Sequence, residues 1–232
     1  FGAQLPFNSL AFDNEETQKF FDVNIRSCLN LAEWAKIRNI PIIFLSGALV
    51  YKDPYAKNIK EQDAKVINGF GGFYGYSKLI SENILNHFSL EGLDCVILRP
   101  SSIYGYGLAK NKLIQSYIDQ ASDGKKIQIT GSNNKINLIH AYDVANAALE
   151  AYQSRSWGIF NISSKKVSSI KEIAETAISV CNRGDIEIID KDSSDNFFVR
   201  FDLDSNLAKK SFAFCPKISL HQGMKLMKKN YF

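Results

Sequence analysis

The chain predicts an α/β fold, a doubly wound parallel sheet followed by a smaller mixed α/β lobe. Two observations carry this reading. Between residues 15 and 100, helix-like and strand-like segments alternate with short connections, the order that builds parallel strands through right-handed crossovers. The strand-like segments, 40–46 and 94–100, are short apolar runs, as expected of strands covered on both faces.

In order along the chain, residues 15–38 predict a helix, with Asp13 and Glu16 spaced as a capping box. Phe20, Phe21, Val23, Leu29, Leu31 and Trp34 are its expected buried residues. The strand at 40–46 comes next. A glycine-rich stretch at 69–72 is expected to be a loop before the next helix, 74–88, which carries apolar Leu79, Ile80, Ile84, Leu85 and Phe88 at helical spacing. Gly92 ends that segment, and 94–100 gives the second strand. Ligands in such sheets bind at the carboxyl ends of strands, which here are 46–51 and 100–105. Beyond them, 112–121 predicts a helix, 126–130 a strand, and Asp143 caps a helix running to about Gln153. Residues 158–162 return to the sheet, and Ser169 with Glu172 caps a helix through Val180. A short strand at 186–189 and a closing helix at 219–229 complete the lobe.

Tyr74-Gly75-Tyr76-Ser77-Lys78 holds the chemistry. A phenol and an ammonium four residues apart share one face of a helix. The cation favours phenolate, so the pair predicts a Tyr74 pKa lowered toward one useful for moving a proton on a hydroxyl. The same spacing recurs at Tyr106 and Lys110, but among glycines that favour a loop.

Composition bounds the alternatives. Hydrophobic residues make up 45% of the 232 and charged residues 22%, as in an ordinary globular domain. No apolar run reaches the ~18 residues that a membrane helix needs, so no membrane partner is expected. Cys28, Cys95, Cys181 and Cys215 lie far apart and read as reduced thiols of a cytoplasmic protein. His87, His140 and His221 lack metal-ligand spacing, and no metal is expected. The net charge of +4 owes much to Lys209, Lys210, Lys217, Lys225, Lys228 and Lys229. With no aromatic platform between them, these predict a solvated helix face and no nucleic-acid partner.

Several segments, in register, carry a resemblance. Phe1-Gly2-Ala3, Asp22-Val23-Asn24, Ser46 through Val50-Tyr51, and Tyr74-Gly75 with Ser77-Lys78 and Glu82 come first. Leu98-Arg99-Pro100 through Tyr104-Gly105, Ile139-His140, Asp143-Val144-Ala145, Phe160-Asn161-Ile162 and Pro216 before Ser219-Leu220 continue in the same order. Over nearly its whole length the chain resembles the extended short-chain dehydrogenase/reductases, the NAD-dependent epimerase/dehydratase family. The resemblance implies a Rossmann-like sheet in 1–105 and mainly a substrate-binding lobe in 106–232, with some segments returning to the sheet. The family's glycine-rich turn is absent, and Phe1-Gly2-Ala3 resembles the end of its fourth strand. The chain is therefore expected to lack the N-terminal part of that domain, roughly 60–70 residues at about 30 per βαβ unit.

By the same resemblance, Tyr74, Lys78 and Ser46 are the expected catalytic residues. Gly2, Ala3, Asn24, Tyr74, Lys78 and Pro100 would line NAD or NADP, and Ser102 and Asn137 the substrate. The implied activity is epimerisation or dehydration of a nucleotide-sugar through a transient keto-sugar. A sugar or carbonyl reductase, or a noncatalytic nucleotide-sensing or scaffold homologue, is the alternative. A homodimer through helices 15–38 and 74–88 is the implied assembly. Three positions depart from the family pattern. Gly47 stands where a Ser or Thr usually contacts the reacting oxygen. Ser46 is adjacent, although strand alternation turns neighbouring side chains to opposite sides unless the backbone bends. Ser102 replaces an Asn, and Ile136 replaces an Arg that often grips a phosphate. Lys135 offers a charge there without the bidentate fork.

Overall fold

The computed structural model describes residues 14–65, 72–189 and 199–231. Gly2, Ala3, the Asp13 half of the first capping box and Gly69–Gly71 lie outside these residues. The first helical stretch comprises α1 (Asn14–Phe20), a π-helical turn (Phe21–Arg26) and α2 (Ser27–Ile37). Strand β1 (Ile42–Leu45), a 3-10 turn (Ala48–Val50), α3 (Gly72–Leu90) and β2 (Cys95–Pro100) come after it. β2 lies between β1 and β6 (Gly158–Ile162) in a wholly parallel sheet, with Leu45 opposite Leu98 and Arg99 opposite Asn161. Helices lie on both faces, but contrary to the expectation for 40–46 those among the described residues cover β1 on one face only, leaving Ile43 and Leu45 exposed. Cys28, Ala32 and Ala35 of α2 and Leu85 of α3 pack on Ile42, Cys95 and Ile97. On the other side Val144, Ala147 and Ala151 of α5 (Ala141–Gln153), with Phe212 of α7 (Asn206–Phe212), meet Val96, Leu98, Phe160 and Ile162. This is the doubly wound arrangement that the segment order predicts.

The lobe gathers α4 (Leu113–Ser122), α6 (Ile170–Cys181) and α8 (Leu220–Tyr231) against β4 (Lys126–Ile129), which pairs in parallel with β8 (Asp185–Ile188). The capping box of Ser169 and Glu172 on α6 is formed in both directions. A further sheet sets β5 (Lys135–His140) between β3 (Ser102–Tyr104) and β7 (Val167–Ser169), with β9 (Val199–Arg200) also pairing with β5. Asp143 does not cap α5, as its position suggested: His140 is the N-cap, and Asp143, buried in the first turn, instead accepts the backbone N–H groups of Lys217 and Ile218, which ties α5 to the approach of α8.

Two expectations about helix faces are corrected. Along residues 20–35 the buried positions are Phe20, Asn24, Ile25, Cys28, Ala32 and Ala35, while Phe21, Val23, Leu29 and Trp34 are exposed. The π-helical turn holds extra residues per turn and so rotates the facing of α2 relative to α1. The small residues of α2 then allow close packing, and the large ones point out. In α3 the deepest face is largely polar: Ser77, Lys78, Ser81 and Glu82 are buried beside Gly75 and Leu85. Ile84 and Phe88 reach the core only partly. A helix that buries its polar face against a sheet needs partners for those groups, and they lie at the site.

Candidate active site

A cavity of about 320 Å³ opens at the carboxyl ends of the adjacent parallel strands β1 and β2. Ser46, Gly47, Ala48 and Leu49 line it after β1, Pro100 to Ile103 after β2, and Tyr74 and Lys78 from the first turns of α3. Of the expected site residues, the structure therefore brings Tyr74, Lys78, Ser46, Pro100 and Ser102 together around one space. α3 comes this close because of Gly75. A Cβ there would sit 2.9 Å from the Leu49 carbonyl oxygen, so any larger residue would push the helix off the 3-10 turn.

Lys78 is 7% exposed. Its Nζ donates to the Leu45 carbonyl oxygen at 2.9 Å and lies 4.8 Å from the Phe44 ring centroid and 5.9 Å from that of Tyr74. Burial lowers its pKa from the usual lysine range, opposed by Cys28 and Glu82. The Tyr74 phenol moves the other way: burial raises its pKa above the ordinary value. That differs from the lowering expected from the spacing. Desolvation outweighs the attraction here, because the ammonium sits over the tyrosine ring and spends a hydrogen bond on Leu45.

The bend after β1 is real but does not turn Ser46 outward. Gly47 is extended, with φ 174 and ψ 166, and leads into the 3-10 turn. A Cβ on Gly47 would meet nothing within 4 Å among the described residues, so this position faces open space. Ser46 is 9% exposed, and its Oγ is sealed from solvent with no hydrogen-bond partner among the described residues. A buried hydroxyl without a partner carries a desolvation cost that an arriving oxygen or nitrogen can relieve.

Asn24 and Asn137 stand behind the cavity lining. Asn24 Nδ2 donates to Ser77 Oγ at 3.0 Å, and Ser77 Oγ donates to the Tyr74 carbonyl at 2.8 Å. The Asn24 carbonyl receives Ser81 Oγ at 3.0 Å. Asn24, in the π-helical turn, thus braces the first turns of α3. Asn137 Oδ1 accepts Ser101 Oγ at 2.7 Å and the Ser164 N–H at 3.0 Å, and its Nδ2 donates to the Ser164 carbonyl at 3.0 Å. It fixes Ser101, which lines the cavity.

Beneath the site lies a buried polar network. Arg99, 2% exposed, grips Glu82 in a bidentate pair, Nε to Oε1 at 2.9 Å and Nη2 to Oε2 at 2.5 Å. Its Nη1 donates to Tyr51 Oη at 3.0 Å and to the Glu61 carbonyl at 2.9 Å. Tyr51 Oη in turn donates to Asn161 Oδ1 at 2.6 Å, and the Asn161 N–H donates to Glu61 Oε1 at 2.8 Å. Glu82 lies one turn beyond Lys78, and Arg99 immediately precedes Pro100. The network therefore sets the height of α3 against the end of β2.

One lining residue had no signal in the sequence. Phe201 closes the cavity from a segment far along the chain. It is buried with φ +59, uncommon for a bulky side chain, and is held by donation from its N–H to the Pro54 carbonyl at 2.8 Å. Ile136, the Arg substitute, pairs in register with Arg200 on β9, whose guanidinium carbon lies 5.9 Å from the Tyr55 ring centroid. Among the described residues no cluster of His, Cys, Asp and Glu is arranged to hold a metal ion, and no helix is long and apolar enough to cross a membrane. Cys28, Cys95, Cys181 and Cys215 are free thiols.

A doubly wound α/β domain with a half-buried tyrosine and a buried lysine at its strand ends defines the class of protein. Residues 8–163 match the model of the NAD dependent epimerase/dehydratase family, and the chain belongs to that family. UDP-glucuronic acid decarboxylase 3 of Arabidopsis thaliana is 22% identical over 221 residues, 92% of this chain and 64% of that protein. An uncharacterized protein of Sinorhizobium fredii is 29% identical over 113 residues, 48% of this chain and 28% of its own length. The chain thus spans less than two thirds of these curated relatives. UDP-glucose 4-epimerase of Thermotoga maritima, solved with UDP-glucose, superposes with a TM-score of 0.81 at 22% identity, over 100% of this chain and 75% of the other. UDP-N-acetylglucosamine 4-epimerase of Bacillus cereus does so with 0.80 at 24% identity, over 97% and 75%. These likenesses establish the fold.

Proposed function

We propose that the protein is an NAD(P)-dependent enzyme that epimerises or dehydrates a nucleotide-sugar through a transient keto-sugar. The observation that carries this is the meeting of Tyr74 and Lys78 in one cavity at the ends of β1 and β2. The solved relatives act on related compounds: one is a UDP-glucose 4-epimerase with UDP-glucose, another a dTDP-glucose 4,6-dehydratase in complex with NAD. The lining fits a nicotinamide nucleotide. Lys78 uses one of its three N–H donors on Leu45 and keeps two for ribose hydroxyls. Gly47, Ala48 and Pro100 offer a low, apolar wall to a flat ring. When bound, that group supplies reversible hydride acceptance.

The chain's own residues handle the proton. With its pKa raised, Tyr74 keeps its proton at neutral pH and is set to protonate a carbonyl oxygen as hydride returns to carbon. Bringing the Lys78 charge toward the phenol oxygen favours the phenolate, which accepts the hydroxyl proton in the opposite direction. Ser102 and Asn137 are assigned to the substrate side, Pro100 and Asn24 to the cofactor side, the latter through its brace on α3. Gly2 and Ala3 keep their expected cofactor role. We divide the chain at residue 105 into a cofactor-binding part and a mainly substrate-binding lobe, and assign it to the cytoplasm, which suits its free thiols. Incubating the full-length protein with NAD and with UDP-glucose, UDP-glucuronic acid or dTDP-glucose, and reading products by NMR, tests the function. No conversion of any nucleotide-sugar would sink it.

Ser46 is the hydroxyl we assign to the reacting oxygen, which requires a rotation about χ1 that brings its sealed Oγ into the cavity the residue lines. Ser46→Ala should lower turnover about 10²-fold, the scale for losing one such donor. Gly47→Ser should restore part of it in that background, since the position is extended and open. Equal turnover by Ser46→Ala and wild type would remove Ser46 from the chemistry.

A two-fold homodimer through the 14–37 helical stretch and α3 is the assembly we propose. Phe21, Val23, Leu29, Trp34 and Ile37 are exposed on the first stretch and Leu90 on α3, more apolar surface than two helices need for their own sheet. Sedimentation of the full-length protein should give a dimer at micromolar concentration, and a monomer there refutes this contact.

A further inference from the structure

Lys78 has an apolar stem, a nearly closed environment and, among the described residues, one carbonyl as hydrogen-bond acceptor. Desolvation disfavours an ammonium in such a place unless something repays it. The groups facing it are few. Tyr74 and Glu82 lie on its own helix, and Cys28 approaches from α2. The Glu82 carboxylate is already gripped by Arg99 on both oxygens. Strand β1 supplies two further neighbours. Ile42 and Phe44 point from that strand toward α2 and α3, and Phe44 packs beside Leu85 and Cys28 in the helix-facing core. The Phe44 ring presents its face to Nζ at 4.8 Å, closer than the Tyr74 ring at 5.9 Å, while the next residue supplies the carbonyl at 2.9 Å. A cation over an aromatic face is attracted by the ring quadrupole, more strongly where water is excluded.

We propose that Phe44 is a positioning residue for Lys78: its ring face and the Leu45 carbonyl form a cradle that keeps the ammonium charged beside Tyr74. The consequence for catalysis rests on the acid/base role of Tyr74 and Lys78, but the cradle itself does not. Phe44 touches neither substrate nor cofactor in this role and acts only through Lys78. Its ring does what a carboxylate would do for the cation, without adding a negative charge that would also oppose phenolate formation at Tyr74.

The test titrates Lys78 directly, with no substrate. In full-length protein carrying isotope-labelled lysine, the Cε shift of Lys78, assigned by its loss in Lys78→Met, is followed by NMR against pH. Phe44→Leu keeps apolar bulk and removes the ring. Its midpoint should fall by about 0.4–1.5 pH units, the span of a cation–π contact converted to pKa. Phe44→Tyr should leave the midpoint near wild type, and Phe44→Trp, the stronger ring, should raise it. An unchanged midpoint in a folded Phe44→Leu, or equal shifts in Phe44→Leu and Phe44→Tyr, overturns the proposal, because a packing role alone would not track the ring. If Phe44→Leu does not fold, Phe44→Trp decides by itself: an unmoved or lowered midpoint overturns the proposal. Failure to convert nucleotide-sugars would leave this titration intact, so the two readings fail separately.

Discussion

Tyr74→Phe in the full-length protein is expected to lose about 10²–10⁴-fold in turnover, the usual span for a general acid/base. The substitution removes a single oxygen and keeps the ring, whose centroid lies 5.9 Å from that of Phe20. Packing at the start of α3 therefore survives, and cofactor affinity should change little. The phenol is the acid/base candidate in the cavity lining, which otherwise offers only hydroxyls, apolar groups and the Lys78 ammonium. Lys78→Met should lose turnover and also weaken cofactor binding, because it removes the N–H donors assigned to the ribose. Tyr106→Phe serves as a control; Tyr106 is exposed and lies outside the cavity lining, so turnover should stay near wild type. Near-normal turnover by Tyr74→Phe on the true substrate would take Tyr74 out of the mechanism.

Arg99→Met is expected to cost stability rather than a single chemical step. The change strands the Glu82 carboxylate at 2% exposure without its bidentate partner and leaves Tyr51 Oη and the Glu61 carbonyl without their shared donor. Breaking one side of a buried ion pair costs roughly 3–5 kcal/mol, because the remaining charge is neither solvated nor paired. That is a large share of the ~5–15 kcal/mol by which a typical domain is stable. Urea unfolding of the full-length protein measures it. A loss below about 1 kcal/mol would mean that water or a shifted side chain replaces the guanidinium. Glu82→Leu combined with Arg99→Met should recover part of the loss, since apolar replacement of both partners is often nearly neutral. Such a double variant should still turn over slowly, because it loses the buried pair that links α3 directly to the end of β2.

The pairing of Tyr74 with Lys78 was legible because helical periodicity is local: residues four apart share a face whatever the helix packs against. The strands β1 and β2 were legible as apolar runs, and α6 as a capping box, for the same reason. Strands β3, β7 and β9 have three, three and two residues and exist by pairing with β5, so no run or alternation in them marks a strand. Phe201 reaches the cavity through a left-handed backbone held by Pro54, a contact between distant segments with no local signature.

By itself the sequence determined the alternation of helices and parallel strands, the catalytic candidates at the strand ends and the family. These depend on local periodicity and on short motifs kept in order. Only the tertiary structure decided which helix faces are buried, where Ser46 and Gly47 point, and which way burial moves the Tyr74 and Lys78 protons. It also decided that Arg99, Glu82, Tyr51 and Asn161 form one network beneath the site. Each of these depends on desolvation or on partners brought together from far along the chain, and neither is specified until the elements pack.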